Sequence, residues 1–291
     1  MTVLSIQALS KTYGAIRALQ DVSIEVPVGS IFGILGPNGS GKTSLLGVVL
    51  GILSASQGGF RWQQGLKRAA LLETANFYPY LSGADNLAVV AQIRGQGREQ
   101  IASVLVQVGL DKHPKLPFQK YSLGMKQRLA IGACLMGDPD VVVLDEPTNG
   151  LDPSGIADVR DLIRDLGQRG RTVLLASHLL DEVEKVCSHV AILKQGQVLA
   201  QGPLQEVLRD EDSIELRSDD LQLLQALLAR HPLQPRIRQA EGLLSVQFPA
   251  GKITPAELNR YCLEGGQALG HLVLKKKTLE SRFLELTDAN A

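Results

Sequence analysis

The stretch that decides the fold reads Gly36-Pro37-Asn38-Gly39-Ser40-Gly41-Lys42-Thr43, which matches the phosphate-loop pattern G-x-x-x-x-G-K-[ST] at every position. Glycines in this pattern let successive backbone N–H groups converge on phosphate oxygens at the start of a helix. We expect Lys42 to reach the terminal phosphates and Thr43 to bind Mg²⁺, with Ser44 adding a second hydroxyl. A glycine-rich turn between unrelated elements is the alternative, but the flanking apolar segments fit a strand before the loop and a helix after it. The sequence therefore predicts that the protein binds a nucleoside triphosphate.

A second apolar strand ends in two adjacent carboxylates. It runs over Val141–Leu144 and is followed directly by Asp145 and Glu146. This position places both acids at the sheet edge where the phosphate loop also emerges. We expect Asp145 to hold Mg²⁺ through its water shell and Glu146 to be the base that polarises the attacking water. A solvated strand end that carries two charges is the alternative interpretation.

The order of the apolar segments predicts an α/β fold. Alternation over residues 4–9 and 22–26 indicates antiparallel strands of a small β-subdomain. Residues from about 74 to 137 are mostly helical in period, which predicts an inserted helical subdomain. After residue 141, buried-type strands alternate with helices, as in a mainly parallel sheet. Together these segments predict a nucleotide-binding domain over residues 1–211.

The rest of the chain predicts a separate small domain. A charged stretch at residues 209–212 ends the alternating pattern, and the apolar periods over residues 212–291 then follow the order βαββαβ with a terminal helix. Thr254 and Glu257 form a capping-box pattern with proline at the first helical position. We expect an α+β, ferredoxin-like accessory domain. It could be a regulatory sensor, a dimer clasp or inert packing.

Composition and charge exclude several classes of partner. The 291 residues include thirty basic and thirty acidic side chains, so long-range attraction to nucleic acid or to an anionic membrane is not expected. Three distant cysteines, without a C-x-x-C pair, are most simply core residues in a reducing compartment. No apolar run approaches the length of a membrane span, and the N-terminus lacks the pattern of an export signal.

Two further motifs stand between and after the halves of this site. They read Tyr121-Ser122-Leu123-Gly124-Met125-Lys126-Gln127-Arg128-Leu129 and Asp145-Glu146-Pro147-Thr148-Asn149-Gly150-Leu151-Asp152. With them, residues 1–210 resemble the ATP-binding subunit of an ABC transporter. The resemblance implies a homodimer that sandwiches two ATP molecules, in which Ser122 and Gly124 begin a helix that receives the γ-phosphate bound by the opposite subunit. An ordinary serine-capped helix is the alternative for residues 121–129.

The same resemblance assigns roles to residues that no local pattern singles out. It implies that Tyr13 stacks on adenine and that His178 contacts the γ-phosphate and steadies the attacking water. Asp152 matches the aspartate that crosses the dimer interface, and its place before Pro153 also suits a helix N-cap. Glu73 stands where the family generally has a glutamine that senses Mg²⁺; capping a strand end is its alternative role.

The sequence departs from the family in a way that resembles one of its branches. Leu123 stands where the usual signature has a glycine after the serine, and Met125 stands where it has a glutamine. With these residues and Glu73, the chain resembles ATPases of bacterial exporters for antibiotics, peptides and envelope lipids. This implies an ATPase that uses ATP and Mg²⁺, drives a separately encoded membrane permease and lies in the cytoplasm at the inner face of the membrane. A DNA- or ribosome-associated ATPase and a poorly hydrolysing regulatory subunit are the alternatives.

Overall fold

The computed structural model describes residues 1–72, 76–95, 98–208, 211–240, 242–249, 251–275 and 278–288. The chain divides into two compact units, Met1–Leu204 and Gln205–Ala291. The domain boundary that the sequence predicts after residue 211 remains a prediction.

An antiparallel β-subdomain opens the first unit, as predicted. Its strands β1 (Thr2–Tyr13), β2 (Ile16–Pro27) and β4 (Gln57–Trp62) pair in the order β2-β1-β4. The ladder between β1 and β2 shifts register between Ile6 and Leu9, where Ala8 has a φ of +49°. This bulge keeps both Ile6 and Leu9 buried although they are three residues apart. Strand β4 was not predicted, because only Phe60 and Trp62 of its six residues are apolar and two of the others are glycines.

The central sheet of this unit has six strands in the order β5-β6-β7-β3-β8-β9. These are β5 (Arg68–Leu71), β6 (Val141–Asp145), β7 (Thr172–Ser177), β3 (Ile31–Leu35), β8 (His189–Lys194) and β9 (Gln197–Pro203). All neighbouring pairs are parallel except β8 and β9. Strands β3 and β6 are buried at every residue, as expected for a sheet covered on both faces. Because β3, β7 and β6 are parallel neighbours, the segments that follow them all begin at the same edge of the sheet.

The helices of the first unit fall into two groups: some follow strands of the central sheet, and others form the predicted inserted subdomain. Helices α1 (Lys42–Val49), α5 (Pro153–Gln168) and α6 (Leu180–Val186) follow β3, β6 and β7. The inserted segment contributes α2 (Gly83–Arg94), α3 (Gln100–Gln107), a 3₁₀ turn (Phe118–Lys120) and α4 (Leu123–Leu135). Within the described ranges no helix is both long enough and apolar enough to cross a membrane.

The second unit is an α+β arrangement with its own core. Its elements are α7 (Leu204–Val207), which begins at the boundary, β10 (Glu211–Ser218), α8 (Leu221–Ala229), β11 (Arg236–Ala240), β12 (Leu243–Pro249), α9 (Pro255–Glu264), β13 (Leu269–Lys275) and α10 (Leu279–Asp288). The four strands pair antiparallel in the order β11-β12-β10-β13. Alternate residues of β12, including Leu244, Val246 and Phe248, are fully buried in this core. The capping box of Thr254 and Glu257 is present at the start of α9.

Candidate functional site

The phosphate-loop segment connects the end of β3 to the start of α1 and folds tightly around its own lysine. Lys42 is 6% exposed, and its ammonium donates to the carbonyl oxygens of Gly36 at 2.8 Å and Pro37 at 3.3 Å. Gly41 has a φ of +105°, and a Cβ at this position would lie 2.5 Å from the Ala18 carbonyl oxygen. Only glycine combines this conformation with so close a backbone approach. The loop therefore depends on glycine for its shape.

Asp145, at the end of β6, lies beside the loop. Thr43 Oγ1 donates to Asp145 Oδ2 at 2.7 Å. Burial is the main cause that raises the pKa of Asp145; the nearby Glu146 charge also raises it, whereas the Thr43 hydrogen bond and Lys42 lower it. Its other oxygen, Oδ1, is buried and accepts no hydrogen bond. A divalent cation would satisfy that oxygen and offset the cost of burying the charge, so Thr43 and Asp145 fit the predicted Mg²⁺ site.

Glu146 connects the phosphate loop with the end of β7. Its Oε1 lies 3.2 Å from Lys42 Nζ, and its Oε2 lies 2.8 Å from His178 Nδ1. Its backbone has a φ of +48°, an uncommon conformation for a residue other than glycine, and its N–H donates to the Ala176 carbonyl oxygen at 2.9 Å. Such strain is concentrated at functional sites. The Glu146 side chain is 21% exposed although its Oε1 is buried, so the residue keeps the partial access to solvent that a base acting on water needs.

A cleft of about 830 Å³ lies over the phosphate loop, and Tyr13 forms part of its wall. Its lining includes Tyr13, Glu146 and residues 38–44, which cover most of the predicted phosphate-binding positions. The Tyr13 side chain is 42% exposed, and the Lys11 ammonium lies 4.9 Å from its ring centre. An exposed aromatic face at the edge of a polar cleft is suited to stacking on a planar base.

Ser122 and Asp152 form a second surface that does not line this cleft, and Gly124, on the same helix as the Ser122 cap, is buried. The Ser122 hydroxyl accepts from Met125 N–H at 3.2 Å and caps α4, while Asp152 Oδ1 accepts from Gly155 N–H at 3.1 Å and caps α5. The two helix starts touch, since a Cβ on Gly124 would lie 3.3 Å from Gly155 Cα. Both capping residues are exposed. The chain thus presents adjacent helix N-termini apart from its own phosphate loop.

Some site residues fall outside these observations or were missed by the sequence analysis. Glu73, predicted to sense Mg²⁺, lies outside the described residues. The cleft is also lined by Arg17, Gln20 and Gln195, which belong to no motif. The Gln195-Gly196 pair could have been found as a two-residue hairpin turn between alternating segments. No local pattern marks Arg17 or Gln20, because they reach the cleft only where β2 packs beside the phosphate loop and the β8–β9 turn.

A phosphate loop, an adjacent acidic pair and a histidine at one edge of a parallel sheet define a nucleotide-binding ATPase of the phosphate-loop class. The sequence profile of the ABC transporter family matches residues 19–149. The ABC transporter ATP-binding protein YdbJ of Bacillus subtilis is 34% identical, over 99% of this chain and 96% of its own length. The bacitracin transport ATP-binding protein BcrA of Bacillus licheniformis is 32% identical, over 98% and 97% respectively. The chain belongs to the family of ABC transporter ATP-binding proteins.

Solved structures agree with this assignment for the first unit. The cbiO1 protein from Clostridium perfringens, described as part of the ABC transporter complex cbiONQ, matches with a TM-score of 0.64 and 26% identity, over 71% of this chain and 90% of its own. Because the match covers 71% of the chain, the ferredoxin-like class of the second unit remains a prediction. As a member of this family the protein binds and hydrolyses ATP, and membership implies a dimeric ATPase that works with a separate membrane permease.

Proposed function

We propose that this chain is the ATPase subunit of an exporter, that two identical copies close on two ATP molecules, and that hydrolysis reopens them to drive a separate permease. The observation that carries the proposal is the continuous network from Lys42 through Glu146 to His178 beside the phosphate loop. We assign the ATPase domain to residues 1–211 and an accessory domain to residues 212–291.

The network gives each residue a distinct task when ATP binds. Lys42 is held by its own loop and by Glu146, so incoming phosphates would replace these acceptors and leave the Glu146 carboxylate free to take a proton from water. His178, hydrogen-bonded to Glu146 Oε2, would orient that carboxylate and the water. Thr43 and Asp145 would hold Mg²⁺, which supplies positive charge to the phosphate oxygens when bound.

The surface formed by Ser122 and Asp152 supports a site shared between two copies, to which we also assign Gly124. Helix N-termini carry partial positive charge and free N–H groups, which favour phosphate. The start of α4 stands apart from the chain's own cleft and has a neutral serine cap, so it is available to ATP bound by a second copy, whereas the start of α5 carries the Asp152 carboxylate. A closed homodimer is a common way to complete such a site, because each subunit presents both halves.

Export by a separate permease is supported by the relatives rather than by the site. BcrA, which is similar along nearly its whole length, is named for bacitracin transport. The described helices include none that could itself cross a membrane. We therefore propose that the subunit is cytoplasmic and acts at the inner face of the membrane, bound to a permease with several spans.

The test is the steady-state ATPase rate of Glu146→Gln, which keeps the shape of the side chain but removes the base. Turnover should fall by about 10²–10⁴-fold while ATP still binds. Glu182→Gln is the matched control, because Glu182 is similarly buried and bridges Arg160 at 3.1 Å and Lys185 at 2.8 Å away from the loop. Near-normal hydrolysis by Glu146→Gln would contradict the assignment. A wild-type protein that binds ATP without turnover, even with its permease, would instead favour a regulatory subunit.

A further inference from the structure

Three backbone segments meet behind the phosphate loop. Gly196, in the turn between β8 and β9, donates its N–H to the Ser40 carbonyl oxygen at 3.0 Å and accepts at its own carbonyl from Gln20 N–H at 2.8 Å. The β-subdomain, the phosphate loop and the β8–β9 hairpin are thereby joined at one point. Of its three residues only Ser40 belongs to the phosphate-loop motif, whereas Gln20 and Gly196 belong to no nucleotide-binding motif in the sequence.

The hairpin turn is built for this close approach. Lys194 pairs with Gln197, so the turn has two central residues, Gln195 with a φ of +50° and Gly196 with a φ of +78°. Positive φ at both positions is typical of a type I′ turn. A Cβ on Gly196 would lie 2.6 Å from the Ala18 carbonyl oxygen, so a side chain there would push β2 away.

The Gly196–Ser40 hydrogen bond also determines where the loop's own donor points. In a trans peptide the carbonyl and the following N–H point in opposite directions. With the Ser40 carbonyl held by Gly196, the N–H of Gly41, a residue that lines the nucleotide cleft, points away from Gly196. The position of the turn therefore sets the direction of one phosphate-binding N–H group.

One side chain fixes the turn to the β-subdomain. Gln20 Nε2 donates to the Gln195 carbonyl oxygen at 3.0 Å, beside the backbone bond from Gln20 N–H to Gly196. Gln20 is partly buried and also lines the cleft. Gln20 thus donates hydrogen bonds to the carbonyl oxygens of both central residues of the turn.

We propose that Gln20 is a positioning residue for ATP: by fixing the β8–β9 turn it orients the Ser40–Gly41 peptide and so sets the affinity for the phosphates. The inference rests on the proposed nucleotide site but assigns a role outside its motifs. Loss of one neutral hydrogen bond in this arrangement corresponds to a roughly three- to tenfold change in binding.

The test compares Gln20→Met with a matched control, Gln201→Met. Gln201, in β9, also donates its Nε2 to a backbone carbonyl of β2, that of Ser23 at 3.0 Å, but it does not line the nucleotide cleft. Three quantities are measured on the full chain: the KM and kcat for ATP, the Kd for ADP by titration, and amide hydrogen exchange of peptides that contain residues 36–41.

Gln20→Met should raise both the KM for ATP and the Kd for ADP by roughly three- to tenfold, leave kcat within about twofold, and speed exchange in the loop. Gln201→Met should leave all three quantities at wild-type values. An unchanged Kd in Gln20→Met, or an equal rise in Gln201→Met, would overturn the inference. Absence of turnover in the wild-type protein would contradict the proposed function instead, and the ADP titration would still test Gln20.

Discussion

Two glycines of the phosphate loop allow a prediction of stability from geometry. Gly41 and Gly39 both have positive φ, +105° and +79°, but only Gly41 approaches other atoms. A Cβ on Gly41 would lie 2.5 Å from the Ala18 carbonyl oxygen and 2.9 Å from Leu19 Cδ2, whereas nothing lies within 4 Å of a Cβ on Gly39. Alanine at the two sites therefore separates backbone strain from steric conflict.

The expected costs of the two substitutions differ by about two- to threefold. Gly39→Ala should lose about 1–2 kcal/mol of unfolding free energy, the cost of placing an L-residue at positive φ. At Gly41 the φ lies further from the left-handed minimum, so the backbone strain costs about 1–3 kcal/mol. Displacing backbone that has no room to move adds about 1–3 kcal/mol, which gives about 2–6 kcal/mol in total.

Thermal unfolding of the nucleotide-free protein measures this difference. With about 2–4 °C of Tm per kcal/mol for a domain of this size, Gly41→Ala should melt well below Gly39→Ala, and both below the wild type. The Kd for ADP then shows whether the displaced loop still binds phosphate, and we expect Gly41→Ala to lose most of its affinity. Equal Tm values for the two variants would refute the steric argument.

Three further predictions concern the acidic pair, the histidine and a helix cap. Burial raises the pKa of Asp145, so its carboxyl group keeps its proton to a higher pH in the folded protein than in the unfolded chain. Ionisation of Asp145 therefore lowers the free energy of unfolding as the pH rises, and the full cost is present above the folded pKa. Asp145→Asn should thus raise the Tm of the nucleotide-free protein at pH 8, with a gain that shrinks as the pH falls, while Mg²⁺-dependent ATPase activity is lost; a lower Tm at pH 8 would contradict this. His178→Ala should reduce kcat by about 10²-fold or more with little change in the Kd for ATP, measured by steady-state turnover and titration, and an unchanged kcat would remove its proposed role. Asp152→Ala should cost about 1 kcal/mol through loss of the α5 cap, seen as a lower Tm that Asp152→Asn largely restores.

The sequence was most informative where one segment specifies one local structure. The phosphate loop, the strand that ends at Asp145 and the Asp152 cap each follow from a short pattern with a physical cause, and the structure has the same elements. The alternation of strands and helices after residue 141 also predicted the parallel sheet, because buried strands must be covered on both faces.

Local patterns could not predict what depends on distant pairing. The first three residues of β4 are a glutamine and two glycines, so its place beside β1 is decided by tertiary packing rather than by its own sequence. Gln20 reaches the phosphate loop only because β2 and the β8–β9 turn meet there, across more than a hundred residues of chain. The place of His178 at the site came from family resemblance, since a lone histidine after a strand carries no such signal, and its contact with Glu146 was not predicted.

The central claim is that ATP is hydrolysed between two copies, each of which supplies one half of the site. The direct measurement mixes Lys42→Ala, which lacks the phosphate-loop lysine, with Ser122→Arg, which blocks the opposite surface. Each variant alone should be inactive, but a mixed dimer regains one intact site, so an equimolar mixture should recover roughly a quarter of the wild-type ATPase rate if subunits exchange at random. A mixture as inactive as its components, or Ser122→Arg alone hydrolysing at the wild-type rate, would contradict the account.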